Sequence, residues 1–290
     1  MDNILEIKNL TKYYGKVLGV ENLTLSLKKG ECFGFIGPNG AGKSTTIRSI
    51  MNLINKDNGK VYIDGEEFNK DNVNLKKKIG YLPSEVYLYD DLTVKQMLDY
   101  HETFYEKNTH NRRKQLVELF KLDEQKKIED LSLGNLKKLG IVLAFMHEPS
   151  VLILDEPTSG LDPIMQHVFY ELLEEEKKKG TTIFYSTHIL SEISKICDRV
   201  GIIKDGHLLK VETIKELHDK NLIFVTIVSK NVKKIVKDLK IDTIIDNEDT
   251  IKFKSNIEIN SLIKKLSNYT IDKLLIEEGT LEEMFLHYYK

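Results

Sequence analysis

A parallel-dominated α/β sheet is the fold class this sequence predicts, and three features carry that expectation. The first is the run Gly37-Pro38-Asn39-Gly40-Ala41-Gly42-Lys43-Ser44, which fits G-x-x-x-x-G-K-[ST] and follows the apolar stretch Cys32–Ile36. The second is Val151-Leu152-Ile153-Leu154, a continuous apolar run between Pro149 and Pro157, as in a strand buried on both faces. The third is the alternation of strand-like and helix-like segments along residues 4–211, the rhythm of a sheet wound by crossover helices.

Residues 4–8 and 22–27 alternate in strand fashion, with Tyr14-Gly15-Lys16 as turn residues between them. A third strand, 31–36, feeds the glycine-rich loop, and 44–54 reads as a helix whose N-terminus faces that loop. Residues 60–63 followed by Asp64-Gly65 make a hairpin strand with its turn, and 79–82 is a short strand ending at Pro83. From 94 to 143 Gly and Pro are rare, and apolar positions such as Leu116, Leu119, Phe120 and Leu122 recur at helical spacing. A helical block is therefore inserted between two stretches of sheet. Sheet returns at 151–154; Pro163 then opens a helix through 179, Gly180 ends it, and 181–185 is another buried strand. A helix at 189–197 leads to strands 199–203 and 207–211 across an Asp205-Gly206 turn.

The last part reads as strand 222–228, helix 232–239, strands 242–245 and 250–253, helix 257–266 and strand 269–277. That βαββαβ order predicts a small α+β domain of ferredoxin-like type. Thr280-Leu281-Glu282-Glu283 forms a capping box for a closing helix carrying Met284, Phe285 and Tyr288. Two domains follow: residues 1–215, with a helical subdomain at about 84–148, and an accessory domain at 216–290.

The 290 residues are 41% hydrophobic and 30% charged, enough for an ordinary core, and 43 Lys and Arg against 45 Asp and Glu leave a formal charge of −2. Nucleic-acid binders carry strongly basic domains, so no nucleic-acid partner is expected. Cys32 and Cys197 sit in apolar segments without metal-ligand spacing, which argues for packing roles in a reducing compartment. No apolar run approaches the roughly 18 residues of a membrane span. The first six residues, Met1-Asp2-Asn3-Ile4-Leu5-Glu6, lack the basic and apolar regions of a leader. A cytoplasmic chain is expected, with any membrane role arising through a partner.

The chemistry starts at the glycine-rich loop. Its glycines let successive backbone N–H groups turn onto phosphates, Lys43 reaches the β and γ oxygens of a nucleoside triphosphate, and the Ser44 hydroxyl suits Mg²⁺. Asp155-Glu156 ends the buried strand with two carboxylates of different use. Asp155 holds Mg²⁺, through water or Ser44, and Glu156 polarises the attacking water.

Further runs narrow the reading. Leu131-Ser132-Leu133-Gly134-Asn135 lies upstream, Ser159-Gly160-Leu161-Asp162 follows the carboxylates, and Ser186-Thr187-His188 follows the next strand. With Tyr14, this order resembles the nucleotide-binding domain of ATP-binding cassette (ABC) transporters over residues 4–211, most specifically along Leu154-Asp155-Glu156-Pro157-Thr158-Ser159-Gly160-Leu161-Asp162-Pro163. The ending Leu281-Glu282-Glu283-Met284-Phe285 is similar to the subgroup that energises drug, antibiotic-resistance and polysaccharide exporters.

The resemblance implies a P-loop NTPase fold of ABC type and ATP hydrolysis with ATP and Mg²⁺ as cofactors. Its implied partners are a second nucleotide-binding domain, in a homodimer or heterodimer, and integral-membrane permease subunits that hold the chain at the inner face of the cell membrane. In that family Gly37, Asn39, Gly40, Ala41, Gly42, Lys43, Ser44 and Thr45 would bind the nucleotide, and Tyr14 would stack on adenine. Ser132 and Gly134 would meet the γ-phosphate held by the other copy, and Asp162 would join the two sites. Glu156 would be the general base and His188 would touch γ-phosphate and water, while Ser44, Asp155 and Ser84 would face Mg²⁺.

Two departures stand out. The family has a glutamine where this chain has Pro83-Ser84-Glu85, and the signature LSGGQ is LSLGN here, keeping Ser132 and Gly134. The alternative reading is a soluble ABC-type ATPase switch or regulator uncoupled from transport. Such switches normally carry two cassettes or a long coiled-coil insertion, and neither is visible. A GTPase is disfavoured because Asn55-Lys56-Asp57-Asn58 and Asn69-Lys70-Asp71-Asn72 lack the final Asp of N-K-x-D.

Overall fold

Asn3–Tyr14 (β1) and Val17–Lys28 (β2) form an antiparallel hairpin that turns at Gly15, where φ is 62°. Both strands run well beyond the segments whose alternation announces them. Asn9 and Asn22 adopt left-handed φ values of 53° and 49°, and the register slips between Ile7 and Leu10. Such bulges reset the inside–outside alternation on which a sequence reading depends. The computed structural model describes residues 3–106, 109–219, 223–239, 241, 243–247, 249–255 and 257–278.

Along the chain there follow Cys32–Ile36 (β3), Lys43–Ile50 (α1), Asn58–Ile63 (β4), Glu66–Glu67 (β5), Val73–Lys76 (α2), Ile79–Leu82 (β6), Val94–Glu102 (α3), His110–Leu119 (α4) and Leu133–Phe145 (α5). Then come Val151–Asp155 (β7), Pro163–Lys178 (α6), Thr182–Thr187 (β8), Leu190–Ile196 (α7), Arg199–Lys204 (β9), His207–Thr213 (β10) and Ile214–Asp219 (α8). The helix α1 stops earlier than residues 44–54 suggest, because Asn52 turns left-handed with φ 54° two residues past its end. The helices α3, α4 and α5 stand between β6 and β7, where the helical block is expected.

Two sheets make the first compact unit, Met1–Ile214. One is antiparallel in the order β2-β1-β4-β5; the other has the order β10-β9-β3-β8-β7-β6, parallel throughout except for β10 against β9. All five residues of β7 are buried, as the unbroken apolar run requires. Leu5, Ile7, Leu23 and Leu25 of the hairpin share one core with Phe33, Phe35, Val151, Ile153 and Phe184 of the parallel sheet, and Ile47 and Ile50 of α1 join it. The fold thereby clamps α1, and the loop that precedes it, between two sheets.

The second unit is Lys215–Lys290. It contains Ile223–Val228 (β11), Val232–Leu239 (α9), Thr243–Asp246 (β12), Thr250–Ser255 (β13), Ile259–Leu266 (α10) and Lys273–Glu278 (β14). The order β12-β13-β11-β14 is antiparallel throughout, the split arrangement that βαββαβ predicts. Val225, Ile227 and Phe253 of the sheet pack with Ile235 of α9 and Leu262 and Leu266 of α10. The closing helix expected at 280–288 lies outside the described residues.

Candidate active site

The strand β3 delivers the glycine-rich loop into α1. Gly42, the residue before the helix, has φ 105°, and a Cβ there would lie 2.3 Å from the Gly19 carbonyl oxygen, so no side chain fits. Thr46 N–H donates to Gly42 O at 2.9 Å, leaving the earlier N–H groups of α1 free of helical partners and pointing where anions are stabilised. Gly37 and Ala41 pack behind the loop, Gly37 against Ile203. Lys43 folds back under it, its Nζ donating to Gly37 O at 2.8 Å and Pro38 O at 3.2 Å.

In front lies a cleft of about 290 Å³ lined by Tyr14, Leu18, Gly19, Asn39, Gly40, Gly42, Lys43, Ser44, Thr45 and Glu156. Tyr14 is 47% exposed, unlike its neighbour Tyr13, whose hydroxyl is tied to Glu21. That half-open ring offers a face for a flat base, and Lys12 Nζ stands 5.5 Å from its centroid. Leu18 and Gly19 escape a sequence reading. The hairpin pairs Leu18 with Tyr13, and only that pairing brings them to the cleft.

The carboxylates enter from β7. Asp155 is buried; its Oδ1 accepts from the Ser186 hydroxyl at 2.5 Å, whereas its Oδ2 is buried without a hydrogen-bond partner. A spare buried oxygen of this kind suits a hard divalent cation. Among the described residues no group of three or more His, Cys, Asp or Glu gathers to hold a metal. An ion at Asp155 would thus need hydroxyl, phosphate and water ligands, the set that Mg²⁺ favours. Glu156 takes the left-handed φ of 46°, and its carboxylate lies 3.5 Å from Lys43 Nζ and 3.0 Å from His188 Nδ1.

The structure gathers Tyr14, Asn39, Gly40, Gly42, Lys43, Ser44, Thr45 and Glu156 around one cleft, with Asp155 and His188 adjoining Glu156. Four expected residues lie elsewhere. Ser132 caps α5, accepting from Asn135 N–H at 3.3 Å, and Asp162 caps α6, accepting from Met165 N–H at 3.0 Å. A Cβ at Gly134 would lie 3.0 Å from the Gly160 carbonyl oxygen. Ser84 lines a second groove, of about 490 Å³, with Tyr87, Leu133, Leu136, Ser159 and Gly160.

One functional candidate was invisible in the sequence. Lys137 of α5 is buried and donates to the carbonyls of Pro83 at 3.1 Å and Ser84 at 3.0 Å. Burial lowers its pKa to about 8, against the opposing pull of the Asp155 and Glu156 charges. Lys137 and Lys138 are adjacent, and nothing in their neighbours says which one turns inward.

The ABC transporter family model matches residues 20–159. The chain is 37% identical over 219 residues to the linearmycin resistance ATP-binding protein of Bacillus subtilis, covering 74% of this chain and 70% of that protein. It is 32% identical over 300 aligned residues to the bacitracin transport ATP-binding protein of Bacillus licheniformis, covering 99% of this chain and 97% of that one. The structure of an ATP-binding subunit of an ABC transporter superposes with a TM-score of 0.69 at 28% identity, covering 91% of this chain and 99% of its own. A dimeric ATP-binding cassette in a post-hydrolysis state with ADP and Pi gives 0.65 at 25% identity, covering 72% and 98% respectively. Homology across nearly the full length and a shared fold lead to one conclusion: the chain belongs to the ABC transporter ATP-binding proteins, subunits that bind and hydrolyse ATP.

Proposed function

We propose that this subunit powers export by a separate membrane permease through ATP-driven pairing of two cassettes, with Lys43, Glu156 and His188 as the reacting core. The observation that carries the reading is the meeting of Glu156 with Lys43 and His188 at the mouth of the phosphate loop. Lys43 would neutralise the γ-phosphate, Glu156 would take the proton of the attacking water, and His188 would orient Glu156 and that water. Ser44 and Asp155 would hold Mg²⁺, which supplies neutralisation of the β and γ oxygens when bound. Tyr14 would stack on the adenine ring.

Ser132 and Gly134 open α5 away from the cleft of their own chain, and their place in the reading is on the phosphate of a second copy. Asp162 would join the paired sites. Pairing driven by ATP requires that the nucleotide bind the closed state more tightly than the open one. Export is favoured because relatives are named for linearmycin resistance and bacitracin transport. Among the described residues no helix is long and apolar enough to cross a membrane, so we place the chain at the bilayer through the permease. We assign residues 1–215 to the cassette, with its helical subdomain facing the permease, and residues 216–290 to an accessory module.

The test is Glu156→Gln in the purified full-length chain. Loss of a positioned base lowers turnover by about 10²- to 10⁴-fold, or roughly 3 to 5 kcal/mol of barrier. The variant should bind Mg-ATP and accumulate as a dimer on size-exclusion chromatography. Undiminished turnover would remove Glu156 from the base role, and a monomer at saturating Mg-ATP would overturn the pairing.

A further inference from the structure

Glu192 of α7 is 4% exposed, and its carboxyl group is met by four hydroxyls rather than by a cation. Oε1 accepts from Thr158 Oγ1 at 2.6 Å and from the Tyr170 hydroxyl at 3.1 Å. Oε2 accepts from Thr187 Oγ1 at 2.6 Å and from the Tyr185 hydroxyl at 3.0 Å. Burial, reinforced by the Glu192 charge, raises the pKa of both phenols, so they stay protonated and able to donate. A carboxyl group is costly to bury, and full satisfaction by well-placed donors is what makes it tolerable there.

Two of the four donors lie beside the reacting core. Thr158 is two residues beyond Glu156 in a tight turn, where Ser159 N–H donates to Glu156 O at 3.2 Å and Leu161 N–H to Thr158 O at 3.1 Å. Thr187 immediately precedes His188, and its Oγ1 also accepts from Ile189 N–H at 3.0 Å. One buried carboxyl group thus grips both strand-end segments, the ones that carry Glu156 and His188, whose side chains meet at 3.0 Å. Tyr170 reaches the same carboxyl group from α6, outside both segments.

We propose that Glu192 is a positioning residue for ATP hydrolysis: by holding Thr158 and Thr187 it fixes the mutual placement of Glu156 and His188. The proposal rests on the roles assigned above to those two residues. Glu156 sits at a left-handed φ that the surroundings must maintain, and the Thr158 anchor lies in the turn that maintains it. Small displacements of a base relative to its substrate are costly to rate, whereas nucleotide affinity depends on the loop and α1, and the Glu192 carboxyl group bonds instead to Thr158, Tyr170, Tyr185 and Thr187.

Variants of the hydroxyl donors to the same buried group separate positioning from packing. Because Thr187→Val also removes the acceptor of Ile189 N–H, Thr158→Val is measured beside it and should lower kcat likewise; a fall in Thr187→Val alone would trace to Ile189 and overturn the proposal. In steady-state ATPase assays of the full-length chain, Thr187→Val should lower kcat by about 10- to 100-fold with KM for ATP within about twofold. Tyr170→Phe should leave kcat within about twofold of wild type. Glu192→Gln, which turns an NH₂ toward two hydroxyl donors, should follow Thr187→Val, and Thr158→Val and Thr187→Val decide the matter should that variant fold poorly. Equal kcat changes in Thr187→Val and Tyr170→Phe, or an unchanged kcat in Thr187→Val, would overturn the proposal. Undiminished turnover of Glu156→Gln would instead count against the base assignment, a separate failure.

Discussion

Lys43 Nζ and Glu156 Oε1 lie 3.5 Å apart, the cation contributed by the phosphate loop and the carboxylate by the end of β7. An arriving γ-phosphate must share Lys43 with that carboxylate, so each group sets the other's effect on binding. Removing Lys43 deletes a charge-assisted contact of about 1.5 to 3 kcal/mol and leaves Glu156 facing the phosphate unneutralised. We expect Lys43→Ala to weaken ATP binding by roughly 10- to 100-fold in calorimetric titration. The Lys43→Ala/Glu156→Gln double variant should recover part of that loss. Strict additivity of the two changes would mean that the residues do not couple across the site.

The loop glycines differ in what they tolerate. Gly40 and Gly42 both have positive φ, 82° and 105°, but a Cβ at Gly40 meets nothing within 4 Å whereas one at Gly42 meets the Gly19 carbonyl oxygen at 2.3 Å. Gly40→Ala therefore adds only local backbone strain, about 1 to 3 kcal/mol. Gly42→Ala adds the same strain and also pushes Gly19, which lines the cleft, away from the loop. Thermal unfolding and ATP titration should show Gly40→Ala folded and binding, with Gly42→Ala markedly less stable and unable to bind. Similar behaviour of the two variants would contradict this account of the close approach.

What the sequence disclosed follows the range of the interactions. The strand at 79–82 and the helix at 232–239 coincide with β6 and α9, because local periodicity and flanking residues define both. The hairpin strands extend past their alternating segments because the left-handed Asn9 and Asn22 break alternation. The phosphate loop was legible because its residues are contiguous, and Asp155, Glu156 and His188 because they close neighbouring strands. Lys137 grips carbonyls 53 and 54 residues away, and Glu192 reaches Thr158 across 34, so neither leaves a local trace. The same holds for Cys32 and Cys197, which sit 165 residues apart in sequence yet bring their sulfurs within 3.6 Å.

The inserted helices are tied to α6 by a buried ion pair. Arg112 of α4 reaches Glu176 Oε1 at 2.6 Å and Glu175 Oε1 at 3.0 Å, and Glu176, 2% exposed, also accepts from Thr181 Oγ1 at 3.1 Å and Lys179 Nζ at 3.0 Å. Breaking such a pair from one side strands a charge and costs about 3 to 5 kcal/mol, whereas replacing both members with apolar residues costs far less. Arg112→Leu should fall at the low end, since Lys179 remains to Glu176. Chemical denaturation should show Arg112→Leu/Glu176→Leu more stable than Arg112→Leu alone; the reverse order would show that Glu176 does not need its partner.

Lys137 sets an alkaline signature. Its pKa falls from 10.5 to about 8 because burial disfavours the ammonium, with Asp155 and Glu156 limiting the fall. Between those two values the unfolded chain keeps a proton that the folded chain has released. Raising the pH through this window therefore favours the folded state, and the cost of burying the charge is fully felt only below pH 8. Relative to Lys137→Met, which never carries the charge, wild type should gain up to about 3 kcal/mol of stability from pH 8 to pH 10.5. Urea denaturation of both proteins at several values across that range measures the difference directly. Parallel stability curves would mean that Lys137 keeps its proton in the folded chain, held by the carboxylates and the Pro83 and Ser84 carbonyls despite its burial.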